Sequence, residues 1–576
     1  MIGKKKKMFY GFDCENDGKN LTCGSIVGKN YEFSFFDVDK FLEEIEKDRF
    51  RNSILFATNL EYDIGVLLNN KPELKQKFSF VSRGGRMIAC RYKTKHHSVT
   101  FGDTMNFTPH GVKKLGEMIG LRKLKAPSSW ERPKTCEDWK YLQEYNIQDS
   151  KISYLFMENL RQGFDVLGGD IKTTISSTAL HIWRKNFYTK KLRSSEFIDE
   201  EQASYYGGRT EAFKRGYFDK NINPVYVYDF SSHYPASMLE LKIPIPDTAE
   251  KTIDKELKRE GISYVNVVTP KNLLIPLLPV RQDKKLIFPV GKFSGWYTHL
   301  ELRKAKEIGY KINVVKSITY ETEDMFSGYV TKFYALKSKY KKEGNEIMTL
   351  ISKLMLNSLY GKFATKLEVE KIVHVKNLSH DEYVDLMERG NKQCGDFIHY
   401  TEDMPNTPDY VQPIVSSYIT SHARIKLYEA FESVGLENVI YCDTDSIFCL
   451  KPINEVEGLG GLEREYTGGM YVVRPKVYAP LNDGDKYKGI RVKGLGREIK
   501  DLAMFKKHIL GQKRIDYTRL SKIRESNRRG FYYGEEIKVF KELNLEDTKR
   551  LWLETFPFTR FMGSEPLDIQ KQTIKS

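Results

Sequence analysis

Cysteine is scarce in this chain and never closely paired. Its 576 residues hold seven cysteines: Cys14, Cys23, Cys90, Cys136, Cys394, Cys442 and Cys449. The number is odd and no C-x-x-C pair occurs. A disulfide framework or a zinc ribbon is therefore not expected, and a reducing compartment fits best. Long apolar runs are also missing, since none approaches the roughly 20 residues of a membrane span. The basic start, residues 4–7, leads into Met8-Phe9-Tyr10-Gly11-Phe12-Asp13, a strand-like run too short for the apolar core of a signal peptide. A cytoplasmic monomer without membrane attachment is expected. No tandem repeat is apparent, which argues against a solenoid or propeller.

Positive charge is in excess. Lys and Arg number 93 against 77 Asp and Glu, a net charge of +16, which favours a polyanionic partner, nucleic acid first. The 35 Tyr and 33 Phe suit stacking on bases or sugars where they neighbour lysines, although most aromatics serve as core. A chain this long is expected to form several domains.

The first stretch, residues 1–165, alternates strand-like and helix-like patterns, as in an α/β domain. Residues 8–12 and 54–57 read as strands and residues 139–160 as a helix. Residues 163–170 read as a boundary. Another apolar strand, 225–228, leads into Asp229. A Lys-rich helical pattern covers 329–360, and a polar, turn-rich stretch with hairpin-like strands covers 366–411.

The densest chemical signal is Tyr441-Cys442-Asp443-Thr444-Asp445-Ser446. Apolar pairs flank it on both sides, the pattern of a buried hairpin. Carboxylates are costly to bury unless neutralised, and oxygen ligands suit Mg²⁺ or Mn²⁺. Alone, the triplet is better read as a turn with solvated acids, and other residues must join it to make a metal site.

Near the start, Asp13 and Glu15 follow the strand-like run, two apart and so on one face. Asn59-Leu60-Glu61-Tyr62-Asp63 follows the next strand, and Tyr145 and Asp149 stand four apart on a helix. Four acids on two strand ends and a helix can hold two metals ~3.5–4 Å apart, one activating water and the other stabilising the leaving 3′ oxygen. Tyr145 is then placed to orient the water. Each fragment alone also fits ordinary surface acids.

Further on, Asp229-Phe230-Ser231-Ser232-His233-Tyr234-Pro235 begins a turn after an apolar strand. The turn's amides suit a triphosphate, Asp229 can share metals with Asp443 and Asp445, and Tyr234 can lie beneath a deoxyribose. In Lys353-Leu354-Met355-Leu356-Asn357-Ser358-Leu359-Tyr360-Gly361, helical spacing sets Lys353, Asn357 and Tyr360 along one face.

Taken in order, these motifs resemble the protein-primed branch of the family B DNA polymerases over roughly residues 9–495. Asp13-Cys14-Glu15 matches D-x-E. Asn59, Tyr62 and Asp63 match N-x-x-F/Y-D, and Tyr145 and Asp149 match Y-x-x-x-D. Asp229 to Pro235 matches D-x-x-S-L-Y-P, with His233 for the usual Leu. Residues 353–361 match K-x-x-x-N-S-x-Y-G. Residues 441–446 match Y-x-D-T-D-S, with Cys442 where Gly is frequent. Tyr205-Tyr206-Gly207-Gly208 matches Y-x-G-G, and Lys476-Val477-Tyr478 matches K-x-Y.

The resemblance implies an α/β and α+β multidomain fold. An RNase H-like (DnaQ-type) 3′–5′ exonuclease domain would span 1–165, and a linker with palm 166–240. A terminal-protein-contacting palm insertion would span 241–335, fingers 336–365, a second, strand-displacing insertion 366–411, palm 412–504 and thumb 505–576. It implies two Mg²⁺ or Mn²⁺ per site, on Asp229, Asp443 and Asp445 and on Asp13, Glu15, Asp63 and Asp149. Ser232, Tyr234, Lys353, Asn357 and Tyr360 would bind dNTP, with Tyr234 as sugar gate. Asn59, Tyr62, Tyr205, Gly207, Gly208, Ser358, Gly361, Lys476 and Tyr478 would bind DNA, and Lys125 would meet a phosphate at the exonuclease site. Primer-template, dNTPs and a separate terminal protein would be the partners, in replication of a linear phage or plasmid genome. The alternatives are extension of RNA or DNA primers or primer-free starting, and, more distantly, a nuclease-only or DNA-binding protein.

Overall fold

The computed structural model describes residues 6–18, 20–83, 86–127, 133–403, 406–481, 489–496, 498–511, 514–522, 525–526, 529, 535–542, 545–554 and 559–569. Lys4 and Lys5 of the basic start, and residues 570–576 of the stretch expected as thumb, lie outside them.

Strand Met8–Asn16 is buried along nearly its whole length, as a strand covered on both faces must be. It pairs antiparallel with Leu21–Gly28 and parallel with Ser53–Ala57. Helix Cys136–Val166 crosses it, its N-terminus capped by Thr135, which accepts from the Asp138 amide. The two meet at Gly11, where a Cβ would lie 1.8 Å from the Ser150 carbonyl oxygen, so a side chain cannot enter.

Two local expectations are corrected here. The first strand runs on to Asn16, so Asp13 and Glu15 lie within it rather than after it. Asp63 sits in the first turn of a helix, Leu60–Asn70, and not at a strand end. Asn59 causes this: its left-handed backbone (φ 75°), tolerated by Asn, swings the chain from Ser53–Ala57 straight into the helix.

The sheet continues past the N-terminal region. Among the described residues ten strands lie side by side, and the three at one edge are Lys392–Cys394, Phe397–Asp403 and Glu368–His374 from the distant polar stretch. Glu368–His374 joins Phe78–Arg83 through Lys371↔Val81 and Ile372↔Phe80. Phe397 packs edge-on against Phe80, ring centroids 6.0 Å apart.

A second sheet forms the centre of the molecule. Its five antiparallel strands run Leu462–Gly468, Val225–Phe230, Ser446–Cys449, Val439–Asp443 and Thr210–Ala212. Helix Pro413–Val434 covers one face, with Leu427, Tyr428 and Phe431 in one core with Tyr228, Cys442 and Ile447. Cys442 is fully buried there, so its side chain fills space that a glycine would leave open.

The single helical pattern expected over 329–360 is in fact two helices, Ser327–Lys342 and Glu346–Ser358, and a short turn, Tyr360–Phe363. Gly344, at φ 70°, ends the first, and Asn345 caps the second by accepting from the Met348 amide. The second helix packs on Cys136–Val166, where a Cβ on Gly163 would lie 2.4 Å from Ile351 Cδ1. Gly163, expected at a boundary, is thus a packing position.

Residues 241–335 hold a four-stranded sheet of Glu250–Thr252, Lys311–Tyr320, Glu260–Val268 and Lys292–Thr298, with helix His299–Glu307. The C-terminal stretch forms a ribbon, Arg514–Leu520 with Glu536–Glu542. It then joins a further sheet, where Phe561–Gly563 pairs with Lys214–Phe218. Among the described residues no helix is long and apolar enough to cross a membrane.

Candidate active sites

Three of the four N-terminal acids come together, and Asp63 stands beside them through the Cys14 amide. One oxygen from each of Asp13, Glu15 and Asp149 lies within 4.8 Å of the other two. Asn146 Nδ2 donates to Asp13 Oδ2 at 2.7 Å, and the Cys14 amide donates to Asp63 Oδ1 at 2.8 Å. The remaining Asp63 and Asp149 oxygens, Oδ2 and Oδ1, are buried with no hydrogen-bond partner. Burial and mutual repulsion drive these carboxyls upward: Asp13 and Asp63 rise well above the usual range, and Glu15 reaches about 8. A divalent cation relieves both effects, so this donor set fits a metal.

Lys123 is the cation here. Its Nζ bridges to Asp149 and sits 4.5 Å from the Tyr145 ring centroid. Lys125, the lysine singled out from sequence, accepts from Tyr141 Oη through its carbonyl at 2.7 Å. Asn59 donates its amide to Asp103 Oδ1 at 3.2 Å. Tyr62 is half-buried beside this centre, its hydroxyl raised by burial and then by Glu15 and Asp63. Asn146 could have been found on sequence, one residue from Tyr145 and three from Asp149 on the same helix.

The second centre sits on the central sheet. Asp229 is paired with Ser446, and the Phe230 amide donates to the Asp445 carbonyl at 2.7 Å. Burial, then Asp445, pushes the Asp229 carboxyl up to about 7, while Lys353 lowers it. Burial also raises Asp445. Asp443 is engaged differently. Its Oδ1 accepts from Thr210 Oγ1 at 2.8 Å and Lys476 Nζ at 3.1 Å, and its Oδ2 accepts from Tyr441 Oη at 3.3 Å. Asp229 and Asp445 stay raised although Lys353 and Lys476 act on them, so theirs is the charge that a metal would relieve.

Around this pair stand the other expected residues. Ser232, left-handed at φ 57°, opens helix His233–Glu240. Lys337 Nζ, from the first helix of the pair, donates to Ser232 Oγ at 3.1 Å. Burial and the neighbouring Lys353 lower the Lys337 pKa. Lys353 and Asn357 are exposed on the second helix, Ser358 is half-buried and Gly361 exposed. The rings of Tyr234 and Tyr360 meet at 4.3 Å.

Gly208 closes the floor: a Cβ there would fall 2.8 Å from both Tyr234 Oη and Thr444 Cγ2. Arg424, held by Glu301, donates to the carbonyls of Tyr206 at 2.5 Å and Gly207 at 2.8 Å. Arg281 donates to the Tyr205 carbonyl. Tyr478 is buried against Phe448, 4.9 Å between centroids, so Lys476 is the exposed member of that motif. Lys337 and Thr210 were missed because neither lies within a local motif.

The model of the family described as DNA polymerase type B, organellar and viral, matches residues 125–449, more than half of the chain. The chain belongs to that family. A probable DNA polymerase of Neurospora intermedia is 30% identical over 336 residues, 54% of this chain and 34% of that protein. The DNA polymerase of Bacillus phage phi29 is 27% identical over 438 residues, 68% of this chain and 70% of that one. The chain spans about a third to a half of the fungal relatives, 34%, 32%, 50% and 44% of their lengths. The fold is that of phi29 DNA polymerase: its structure with primer-template DNA and incoming nucleotide superposes with a TM-score of 0.69, covering 93% of this chain and 100% of that one at 18% identity.

Proposed function

We propose that this chain is a template-directed DNA polymerase with a separate 3′–5′ exonuclease centre. The observation that carries the reading is the closeness of the Asp229 and Asp445 carboxyls, each raised by burial and Asp229 also by Asp445, at the edge of the central sheet beside Lys353 and the tilted Tyr234–Tyr360 ring pair. Asp229 and Asp445 would hold Mg²⁺ or Mn²⁺, which supplies Lewis acidity for nucleotidyl transfer. The chain's own residues do the rest. Lys353 and Lys337 neutralise the triphosphate, Tyr360 packs on the nascent pair, and Tyr234 lies where a 2′-hydroxyl would stand. Asn357, Ser358, Gly361 and the segment Tyr205, Gly207 and Gly208 line the template and nucleotide path, and Lys476 meets the primer.

At the other centre Asp13, Glu15, Asp63 and Asp149 would hold metal for hydrolysis. Tyr145, beside Lys123, orients the attacking water, and Asn59 and Tyr62 hold the frayed 3′ end. Priming by a separate terminal protein, strand displacement by residues 366–411 and action as a monomer in the host cytoplasm complete the reading.

Purified chain with labelled primer-template, four dNTPs and Mg²⁺ tests it. Extension is expected, and 3′ shortening when dNTPs are omitted. A chain that neither extends nor shortens the primer refutes the reading. A protein–dAMP adduct with a candidate terminal protein separates protein priming from extension of nucleic-acid primers.

A further inference from the structure

We propose that strand Thr210–Ala212 and the C-terminal stretch docked on it form a positioning support for the polymerase centre, with Thr210 setting Asp443 and Arg550 holding the strand. This rests on the polymerase reading above.

The support is a buried ion network. Arg209, Glu211 and Arg550 are 2%, 1% and 2% exposed. Arg209 Nε and Nη2 donate to Glu211 Oε2 at 2.9 and 2.6 Å, and Arg550 Nη1 donates to Glu211 Oε1 at 3.1 Å. Arg550 also donates to Ser564 Oγ at 2.6 Å and the Leu274 carbonyl at 2.9 Å. Lys549 Nζ donates to the Thr210 carbonyl at 2.7 Å. The C-terminal stretch is thereby fastened to the strand by directed, charged bonds.

The strand passes that order to the catalytic hairpin. Side chains alternate along a strand, so Arg209 and Glu211 face one way and Thr210 the other. Asp443 pairs with Thr210 and Cys442 with Glu211. The Arg209 carbonyl accepts from the Thr444 amide at 2.7 Å, at the hairpin tip where Thr444 is left-handed, φ 64°. The Thr210 hydroxyl takes Asp443 Oδ1, the atom that also meets Lys476. Apolar residues would hold a tail as firmly as two buried guanidinia on one carboxylate. What the ionic version adds is a fixed direction, and that direction ends at Asp443.

The test is a double-variant cycle on single-nucleotide primer extension, with thermal unfolding of each variant. Thr210→Val, nearly isosteric, should lower kcat by roughly 100-fold. The dNTP KM should stay within about 3-fold, the mark of an interaction that serves the transition state. Thr210→Ser, which keeps the hydroxyl, should restore most of kcat. Arg550→Met should also lower kcat, and the double variant should be no slower than the slower single, because both act through one strand. Arg550→Lys, which keeps charge but loses the fork, replaces the Met variant if that one unfolds below assay temperature. Undiminished kcat in Thr210→Val, or losses that multiply in the double variant, overturns the inference. A wild-type chain that extends no primer overturns the polymerase reading itself, which sets the two failures apart.

Discussion

The rings of Tyr234 and Tyr360 lie 4.3 Å apart, tilted by 33°, and join the turn after Asp229 to the helix pair. Tyr234 is held from below as well, since its hydroxyl end touches the position where Gly208 lacks a side chain. A ring fixed on two sides cannot yield to a 2′-hydroxyl. We expect Tyr234→Val to reduce discrimination against ribonucleotides by about 10- to 100-fold, the scale of one steric contact in a pocket. Competitive incorporation of dNTP and rNTP opposite one template base measures it. Unchanged discrimination would remove Tyr234 as the gate.

The two acid centres stand on different sheets, so their activities should separate. Asp445→Ala should lower extension by at least about 10³-fold, several kcal/mol of lost charge stabilisation, and leave shortening of single-stranded primer near wild type. Asp13→Ala with Asp63→Ala should do the reverse. Chelation with EDTA should stop both. Gels with a 5′-labelled primer, with and without dNTPs, read both activities in one assay.

How much of this was legible in the sequence depends on distance along the chain. Asp13 with Glu15, and Tyr145 with Asp149, announce themselves because strand and helix periods put near neighbours on one face. Asp229 and the 441–446 hairpin are legible for the same reason. Lys337 meets Ser232 across 105 residues of chain, a contact that no local period announces. Lys123 reaches Asp149 through a loop whose path is tertiary. The joining of residues 368–374 to Phe78–Arg83 rests on backbone bonds, which leave little trace in side-chain pattern.

Gly208 has no room for a methyl group, yet its neighbours are side-chain ends, Tyr234 Oη and Thr444 Cγ2, rather than backbone. Gly208→Ala should therefore fold, with a stability loss of about 1–3 kcal/mol from overpacking. The displaced Tyr234 and Thr444 should slow extension and weaken sugar discrimination together. Primer shortening at the other centre should be unchanged. Loss of extension with discrimination intact would show that the methyl disturbs the hairpin alone.

His233 stands where the family motif has leucine, and it behaves like a core residue. It is 4% exposed, stacked on Phe230 at 4.4 Å, with Nε2 at 2.9 Å from the Ala423 carbonyl. Burial pulls its pKa down to about 4 from the ordinary 6.5. Below pH 6.5 the unfolded chain takes up a proton that the folded chain refuses, so stability falls with pH until the folded histidine also titrates near 4. The loss should total about 3 kcal/mol across that window, because each tenfold difference in proton affinity is worth about 1.4 kcal/mol. His233→Leu should flatten this part of the acid limb. Urea unfolding at about pH 7, 6, 5 and 4 for both proteins measures the difference. Parallel pH profiles would show that the folded His233 binds its proton as readily as the unfolded one.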